Sequence, residues 1–176
     1  MDIVTRKIDD DYWADTKEAY EAWERLNSAL KKIKSRKANF PSGVSEAVVG
    51  RVYGYDIITQ GSGDLYAPRN DRIVEVKATS NYNIDLSSFS PSEFYDNLVF
   101  VRYNQKSKVF EIYDLNRNRD AVDPIQISKK ETYRDQREQG RRSRFSVLDK
   151  IIKAEGLEPD RVFCIRDGVV KVEVQE

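Results

Sequence analysis

Residues 63–78 read GDLYAPRNDRIVEVKA, and the Pro-Arg-Asn-Asp segment at residues 68–71 is typical of a tight turn between two strands. Side chains alternate between the two faces of a strand, so Glu75 and Lys77 share one face and the neighbouring valines share the other. Asp64, before the turn, reaches the face of Glu75 if the two strands pair as a hairpin. The stretch therefore predicts a hairpin that carries two carboxylates and a lysine at a sheet edge.

Runs of apolar and β-branched residues around this hairpin predict more strands. Turn residues bound these runs, and their spacing favours a mostly antiparallel central sheet of about five strands. An Asp-Gly pair near the C-terminus is typical of a further hairpin. The predicted strands cover residues 55–59, 64–67, 72–78, 98–103 and 109–115, with a short apolar strand signal at 125–127 and a terminal hairpin of 162–165 and 169–174.

Three segments have the apolar spacing of helices. Between residues 15 and 37, apolar side chains recur at three- and four-residue steps and predict a long amphipathic helix. Its stripe consists of Tyr20, Trp23, Leu26, Leu30 and Ile33. Shorter helices are predicted at 44–53, with Gly54 as the stop, and at 147–154. Helices around a central sheet indicate an α/β or α+β class, and the length indicates one domain, residues 1–176.

The composition excludes several classes of protein. The chain has no histidine, which removes the Ser-His-Asp triad, the Cys-His dyad and histidine metal sites, so any catalysis must use carboxylates and lysines. The single cysteine, Cys164, has no internal disulfide partner, and the opening segment is acidic where a secretory signal is apolar. No apolar run approaches the ~20 residues of a membrane span. These features predict a soluble, cytoplasmic protein.

Charge is segregated along the chain, although 30 basic and 30 acidic residues give a formal net charge of zero. Residues 25–37 hold six bases and no acid, and residues 129–144 hold seven bases against three acids. Local fields matter more to a polyanion than the total charge does, so two basic patches are compatible with a nucleic-acid partner. Two solvated faces of an ordinary domain are the alternative explanation.

The hairpin residues suggest a specific chemistry. Two carboxylates, Asp64 and Glu75, suit Mg²⁺, which keeps several waters and binds phosphate oxygens. Such an ion stabilises charge on a phosphate and lowers the pKa of a bound water, while Lys77 orients or deprotonates that water or neutralises the developing charge. The alternative is a salt bridge on an exposed edge strand, because Glu-x-Lys is a common tripeptide.

The order of these residues resembles the PD-(D/E)xK nuclease superfamily. The pattern of that superfamily is a glutamate on a helix, then an aspartate, then Glu-x-Lys on the next strand. Glu46, Asp64, Glu75 and Lys77 occupy these positions. One departure is that Gly63 stands where the motif names proline.

Two longer segments extend the resemblance to small type II restriction endonucleases of this superfamily. Residues 77–91, followed by the strand at 98–103, are similar to their post-catalytic segment, and residues 139–146 are similar to a basic segment near their end. The resemblance implies a restriction-endonuclease-like mixed sheet flanked by helices. It also implies Mg²⁺-dependent hydrolysis of double-stranded DNA at a short palindromic site, with a cognate DNA methyltransferase as functional partner.

The resemblance also implies roles for individual residues. Asp64 and Glu75 match the metal-binding carboxylates, and Lys77 matches the motif lysine. Glu46 matches a second-site or water-mediated ligand, but it could equally stabilise the N-terminus of its own helix. Two-fold symmetry of a palindrome predicts a homodimer, for which the helix at 15–37 is a candidate contact.

Residues 129–144 carry too many long polar side chains to form core. Arginine binds guanine O6 and N7 through two hydrogen bonds, and glutamine binds adenine N6 and N7 in the same manner. The predicted DNA contacts are Gln136, Arg137, Arg141, Arg142 and Arg144, with Asn81 and Asn83 in the loop after the catalytic strand. A mobile, solvated linker that only adds affinity is the alternative for this segment.

Other functions share parts of this pattern. A junction resolvase or repair nuclease would keep the same acidic and basic residues but recognise DNA shape. A DNA-binding module without activity would show a broken motif, and the motif is intact here. An ordinary structural or interaction domain would carry Glu-x-Lys as a surface feature.

Overall fold

The computed structural model describes residues 3–171, with the backbone alone for residues 169–171. The helices are α1 (Asp10–Lys32), α2 (Ser42–Tyr53), α3 (Arg119–Val122), α4 (Tyr133–Glu138) and α5 (Lys153–Glu155), the last entered through a π-helical turn at Leu148–Ile152. The strands are β1 (Val4–Arg6), β2 (Asp56–Gln60), β3 (Leu65–Ala67), β4 (Arg72–Thr79), β5 (Ser87–Phe89), β6 (Asn97–Asn104), β7 (Val109–Asp114), β8 (Ser143–Phe145), β9 (Arg161–Cys164) and β10 (Val169–Lys171).

Eight strands form one mixed sheet in the order β1-β2-β3-β4-β6-β7-β9-β10. The β4–β6 pair is parallel, the other neighbouring pairs are antiparallel, and β5 and β8 form a separate two-stranded ladder. The α/β class with a mixed sheet and flanking helices is confirmed. The prediction of about five strands is wrong, because the terminal hairpin joins the sheet through β7 and because exposed β1 shows no alternation that marks a strand.

The sheet separates two hydrophobic cores. Val74 and Val76 of β4 face the core that contains Trp23 and other aromatic residues of α1. Leu98 and Phe100 of β6 face the second core, which packs against the π-helical turn and β8. Alternation along β4 therefore turns its polar side chains toward the second core, away from α1.

The first helix begins and ends five residues earlier than the predicted helix at 15–37. The Asp9 carboxylate caps its N-terminus by accepting the N–H of Tyr12 at 2.8 Å. Lys34 adopts a left-handed conformation, with φ of +56°, just after the helix ends. A cap and a left-handed residue, which apolar spacing does not report, thus fix both ends.

Burial along α1 also differs from the predicted stripe. The helix buries Trp13, Thr16, Tyr20 and Trp23. Leu26 is 48% exposed and Ile33 is 73% exposed, so the predicted apolar stripe is buried only in its N-terminal half.

The segment of residues 116–144 is folded, because it contains α3, α4 and β8. A capping box starts α4: the Thr132 side chain accepts the N–H of Asp135, and the Asp135 carboxylate accepts the N–H of Thr132 at 2.7 Å. The strand predicted at 125–127 is wrong, since only an isolated bridge between Gln126 and Thr132 occurs there. The segment is therefore not an unstructured linker.

The ends of the other predicted elements agree closely with the structure. Gly54 ends α2 with φ of +74°, as expected for a helix stop. β9 and β10 form the predicted terminal hairpin, although predicted strand residues 172–174 lie outside the described part of the chain. Within residues 3–171, no helix combines the length and apolar character needed to cross a membrane.

Candidate active site

The β3–β4 hairpin holds Asp64 against β4. The strands pair antiparallel with Leu65 opposite Val74, as the turn residues predicted. The Asp64 N–H donates to the Val74 carbonyl at 3.0 Å, and Asp64 Oδ2 accepts the N–H of Val76 at 2.7 Å. The backbone and the side chain of Asp64 are thus both fixed beside the strand that carries Glu75.

Gly63 has a structural reason to replace the proline of the motif. Its φ is +78°, whereas the proline ring fixes φ near about −65°. A Cβ at this position would also lie 2.3 Å from the Cγ2 of Ile73. The turn before Asp64 therefore requires glycine in this chain.

Glu75 and Lys77 lie side by side on one face of β4, as the strand period predicted. The side chain of Glu75 is 1% exposed, and its Oε1 accepts a hydrogen bond from Lys77 Nζ. Its Oε2 is buried and has no hydrogen-bond partner. Lys77 Nζ also lies 5.1 Å from the centre of the Phe89 ring. The edge-strand salt bridge is excluded, because this pair lies inside the sheet and is almost fully buried.

Burial is the main cause of the unusual pKa values in this group. It raises the pKa of Glu75 to about 8, with the charge of Asp64 as the next cause. It also raises the pKa of Asp64, against the lowering effect of the Val76 N–H. Burial lowers the pKa of Lys77, but Glu75 and Glu93 outweigh it, so this pKa lies above its usual range. The lysine is therefore an ammonium ion beside two acids whose ionisation is opposed by burial.

Glu46 is part of the same electrostatic group. Burial, followed by the charge of Asp64, raises the pKa of Glu46 to about 7, while Ser42 and Lys77 lower it to a smaller extent. No side chain caps the N-terminus of α2 through a hydrogen bond. The pKa of Glu46 thus depends on the charge of Asp64 and on a hydrogen bond with Ser42, the first residue of its own helix.

A fourth carboxylate, Glu93, was missed from the sequence. Its Oε2 lies 3.8 Å from Lys77 Nζ and accepts the N–H of Ser90 at 3.1 Å. Within the described residues, the hydroxyls of Tyr95 and Tyr133 are buried without hydrogen-bond partners; burial is the main cause that raises the pKa of both, and the charge of Glu93 adds to it. Glu93 follows Ser-Pro-Ser in an irregular segment, so only the tertiary fold brings it to the site.

The residues present fit one kind of metal site. Within residues 3–171, no three acidic or cysteine side chains converge as a complete set of protein ligands. Mg²⁺ is usually bound by one or two carboxylates together with waters and substrate phosphates, so Asp64 and Glu75 suffice. The unpartnered Glu75 Oε2 is the donor atom that such an ion would satisfy.

The basic segment predicted to read DNA is attached to the active site through β8. Ser88 of β5 pairs with Arg144 of β8, and the rings of Phe89 and Phe145 stack with centroids 4.7 Å apart. Ser143 and Phe145 are buried, whereas Arg144 between them is exposed. Lys77 Nζ lies over the same Phe89 ring. The two-stranded β5–β8 ladder therefore carries exposed Arg144 and also contacts Lys77, the candidate catalytic lysine.

The other predicted DNA contacts in this segment differ in whether neighbouring side chains already bind them. Arg137 binds buried Asp123 with two hydrogen bonds, Nε to Oδ1 at 3.1 Å and Nη2 to Oδ2 at 2.8 Å. Glu131 pairs with Arg141 and accepts a hydrogen bond from Gln136 at 3.2 Å. The Arg137 fork is therefore occupied by the fold, while Arg141 and Gln136 share a partner near the surface.

Asn81 and Asn83 are exposed in the loop after β4. Asp85, later in the same loop, turns inward: it is buried and accepts the Val147 and Leu148 N–H groups at 2.9 and 3.1 Å. It thereby ties the loop to the start of the π-helical turn. The loop is anchored at its end and presents its two asparagines to solvent.

Without a divalent metal, we expect the free energy of unfolding to fall as the pH rises from 4.5 to about 8. The folded pKa values of Glu46 and Glu75 are raised from 4.5 to about 7 and about 8, so in this range the native state binds more protons than the unfolded state. Stability from these groups is complete below 4.5 and lost as each folded acid ionises. Urea unfolding across this pH range measures the effect.

Glu75→Gln is the matched control for this pH dependence, because it keeps the side-chain shape and removes the titration. The slope of stability against pH should become shallower in this variant. A metal-free wild type whose stability is constant or increases between these pH values would contradict the prediction.

Comparison with known proteins shows that the sequence of this chain is similar to that of restriction enzymes. A family model described as Bsp6I restriction endonuclease matches residues 8–154. The type II restriction enzyme Bsp6I of Bacillus sp. (strain RFL6) is 41% identical over 153 residues, which are 87% of this chain and 88% of that enzyme. The matched region includes α1, the β3–β4 hairpin with its acids and lysine, and the segment through β8.

Proposed function

Because this chain belongs to the Bsp6I restriction endonuclease family and is a type II restriction endonuclease, we propose that it cuts both strands of a short palindromic site in a Mg²⁺-dependent reaction. Its partner is DNA, and it is a site-specific deoxyribonuclease. The observation that carries the proposal is the convergence of Asp64, Glu75 and Lys77, with Glu75 Oε2 buried and unpartnered.

Asp64 and Glu75 are the proposed metal ligands. When bound, Mg²⁺ supplies charge stabilisation at the scissile phosphate and lowers the pKa of a bound water. The backbone N–H of Val76 holds the Asp64 carboxylate in place, and Lys77 holds one oxygen of Glu75, so both acids are oriented before any ion arrives. Glu46, beside Asp64, is the proposed second-site or water-mediated ligand.

Lys77 acts in this proposal as a cation at the phosphate. Two carboxylates, Glu75 and Glu93, favour its ammonium form. An ammonium ion beside the scissile phosphate neutralises the charge that develops during cleavage and orients the attacking water. The contact between Nζ and the Phe89 ring restrains the direction of the side chain.

Base recognition is assigned to the surface around β8. Arg142 and Arg144 are exposed, and within the described residues 3–171 no acidic side chain pairs with their guanidinium groups, while Arg141 and Gln136 both bind Glu131. Asn81 and Asn83 supply further DNA contacts from the loop that joins β4 to β5, the strand that pairs with β8. Arg137 receives a structural role instead, because Asp123 occupies its fork.

The biological setting follows from the reaction. Cleavage of both strands of a palindrome is achieved most simply by two active sites related by a two-fold axis, so the proposed assembly is a homodimer. Residues 1–176 are proposed to form one nuclease domain that acts in the cytoplasm, where a cognate DNA methyltransferase protects the host sites.

Incubating the purified protein with unmethylated phage DNA and Mg²⁺, followed by sequencing of the fragment ends, tests the proposed function. We expect discrete fragments whose ends share one short palindromic sequence. Cleavage confined to branched or damaged DNA would instead support a resolvase or repair nuclease. Intact DNA after prolonged incubation would contradict the assignment.

Metal binding is a separate prediction. By isothermal titration with Mg²⁺ or Ca²⁺, we expect Asp64→Asn and Glu75→Gln each to lower affinity by at least about tenfold. Asp71→Asn is the matched control, because Asp71 is an exposed acid in the β3–β4 turn with φ of +52°, where asparagine is well tolerated. Unchanged affinity in Glu75→Gln would remove Glu75 from the metal site.

A further inference from the structure

The first helix has two apolar rows, and only one of them faces the sheet. Trp13, Tyr20 and Trp23 are buried in the core. The second row follows the side of the helix at steps of three or four residues and consists of Ala19, Ala22, Leu26 and Leu30, with Ile33 directly after the helix end. Leu26 is 48% exposed and Ile33 is 73% exposed. A continuous apolar row that is open to water marks an interaction surface.

Charge is divided between the two halves of the same segment. Residues 10–24 hold six acids and one base, whereas residues 25–37 hold six bases and no acid. The helix dipole favours acids in the first turn and bases in the last turn, but it decays within one turn at each end. The segregation here continues to the middle of the helix, so the dipole does not account for it.

Several of these charges are unused by the fold. Glu24 binds Lys108, and Glu21 pairs with Arg25 on the surface. Within residues 3–171, Glu18 and Lys32 form no salt bridge. Opposite charges on the two halves of one helix are therefore available to an external partner.

We propose that α1 pairs with α1 of a second copy of this chain, antiparallel and about a two-fold axis near Leu26. The inference rests on the proposed homodimer and specifies its interface. An antiparallel arrangement sets the acidic residues before Leu26 in one copy against the basic residues after Leu26 in the other, some of which follow the helix end, whereas a parallel one would oppose like charges. A two-fold axis satisfies both halves with a single surface.

The apolar row has the right shape for such a contact. α1 ends at Lys32, so two antiparallel copies related by an axis near Leu26 overlap over residues 20–32, about 20 Å, which is between three and four turns of helix. The small side chains of Ala19 and Ala22 leave space for the larger Leu30 and Ile33 of a partner that runs in the opposite direction. Leu26, near the centre, would meet its own copy.

Cysteine cross-linking tests this arrangement directly. In a Cys164→Ser background, oxidised Leu26→Cys is expected to give a disulfide-linked dimer, because the two copies of this position lie close to the axis. Lys17→Cys is the matched control: it is exposed on the same helix, but nine residues away it points to the opposite side. Equal cross-linking at both positions, or none at residue 26, would overturn the interface.

Sedimentation analysis of charge variants supplies an independent test. Leu26→Asp is expected to raise the dimer dissociation constant about tenfold or more, and Glu18→Lys and Lys32→Glu are each expected to weaken the dimer. The double variant with Glu18→Lys and Lys32→Glu should recover part of the loss, because the opposite charges are exchanged. Circular dichroism checks that Leu26→Asp still folds, which is expected because the Leu26 side chain is exposed and does not contribute to the core.

The outcomes separate this inference from the proposed function. A dimer that withstands Leu26→Asp would place the interface elsewhere and leave the homodimer standing. A wild-type monomer, free and on DNA, would overturn both the interface and the homodimer but not the metal-dependent site. Lys32→Glu that weakens DNA binding without changing the oligomeric state would assign residues 25–37 to DNA and overturn the helix pairing.

Discussion

Replacing Lys77 by alanine is expected to lower the rate of DNA cleavage by about 10²–10⁴-fold, and Asp64→Asn and Glu75→Gln by at least as much. Lys77 lies between Glu75 and Glu93, and in the proposed mechanism its ammonium group neutralises charge at the phosphate. Each acid is a proposed ligand of the metal ion, so losing either one would remove the charge stabilisation that the ion provides. Single-turnover cleavage of plasmid DNA at saturating Mg²⁺ measures the loss.

These substitutions should leave the fold intact. Burial and mutual repulsion make ionised Asp64 and Glu75 costly without metal, so Glu75→Gln is expected to keep or raise the unfolding midpoint. Lys17→Ala, at an exposed position on α1, is the control and should cleave normally. Near-normal turnover in Lys77→Ala would show that β4 is not the catalytic strand.

The sequence was sufficient for the centre of the site because its geometry is local. Alternation along β4 and the turn at residues 68–71 determine which side chains share a face, and both are short-range patterns. Glu93 was not predictable in this way, since it reaches Lys77 from an irregular segment 16 residues later in the chain. Only the parallel crossover from β4 to β6 folds that segment back over the site.

The helix α1 shows a different limit of sequence reasoning. Its periodicity correctly predicted a long amphipathic helix, but it merged two apolar rows into one stripe. Tyr20 and Trp23 belong to the core row, whereas Leu26 and Ile33 belong to the exposed row. Hydrophobic spacing reports that a face is apolar, and it does not distinguish burial in the same chain from burial against another one.

The helix and strand of the segment around α4 and β8 could not be predicted from hydrophobic periodicity, because these elements are too short to show it. α4 has six residues and β8 has three, and each depends on contacts outside itself. The capping box of Thr132 and Asp135 was a readable start signal. The pairing of β8 with β5 joins residues more than 50 positions apart, and no local pattern indicates such a partner.

Arg142→Ala and Arg144→Ala are each expected to weaken binding to the cognate site by about 1–3 kcal/mol and to affect random DNA much less. Both side chains are exposed, and β5 holds Arg144 in a defined direction beside the active site. A free arginine fork on a fixed strand is suited to two hydrogen bonds with guanine O6 and N7. Equilibrium binding with Ca²⁺ in place of Mg²⁺, on cognate and random duplexes, measures the difference.

Two further variants give this measurement its controls. Lys129→Ala removes an exposed point charge, so it should weaken binding to every duplex alike and flatten the dependence on salt. Arg137→Ala leaves Asp123 buried with one fewer partner. It should therefore affect thermal stability, which falls, more than sequence preference. Equal losses on cognate and random DNA for Arg142→Ala and Arg144→Ala would move base reading away from β8, most directly to the exposed loop after β4 that carries Asn81 and Asn83.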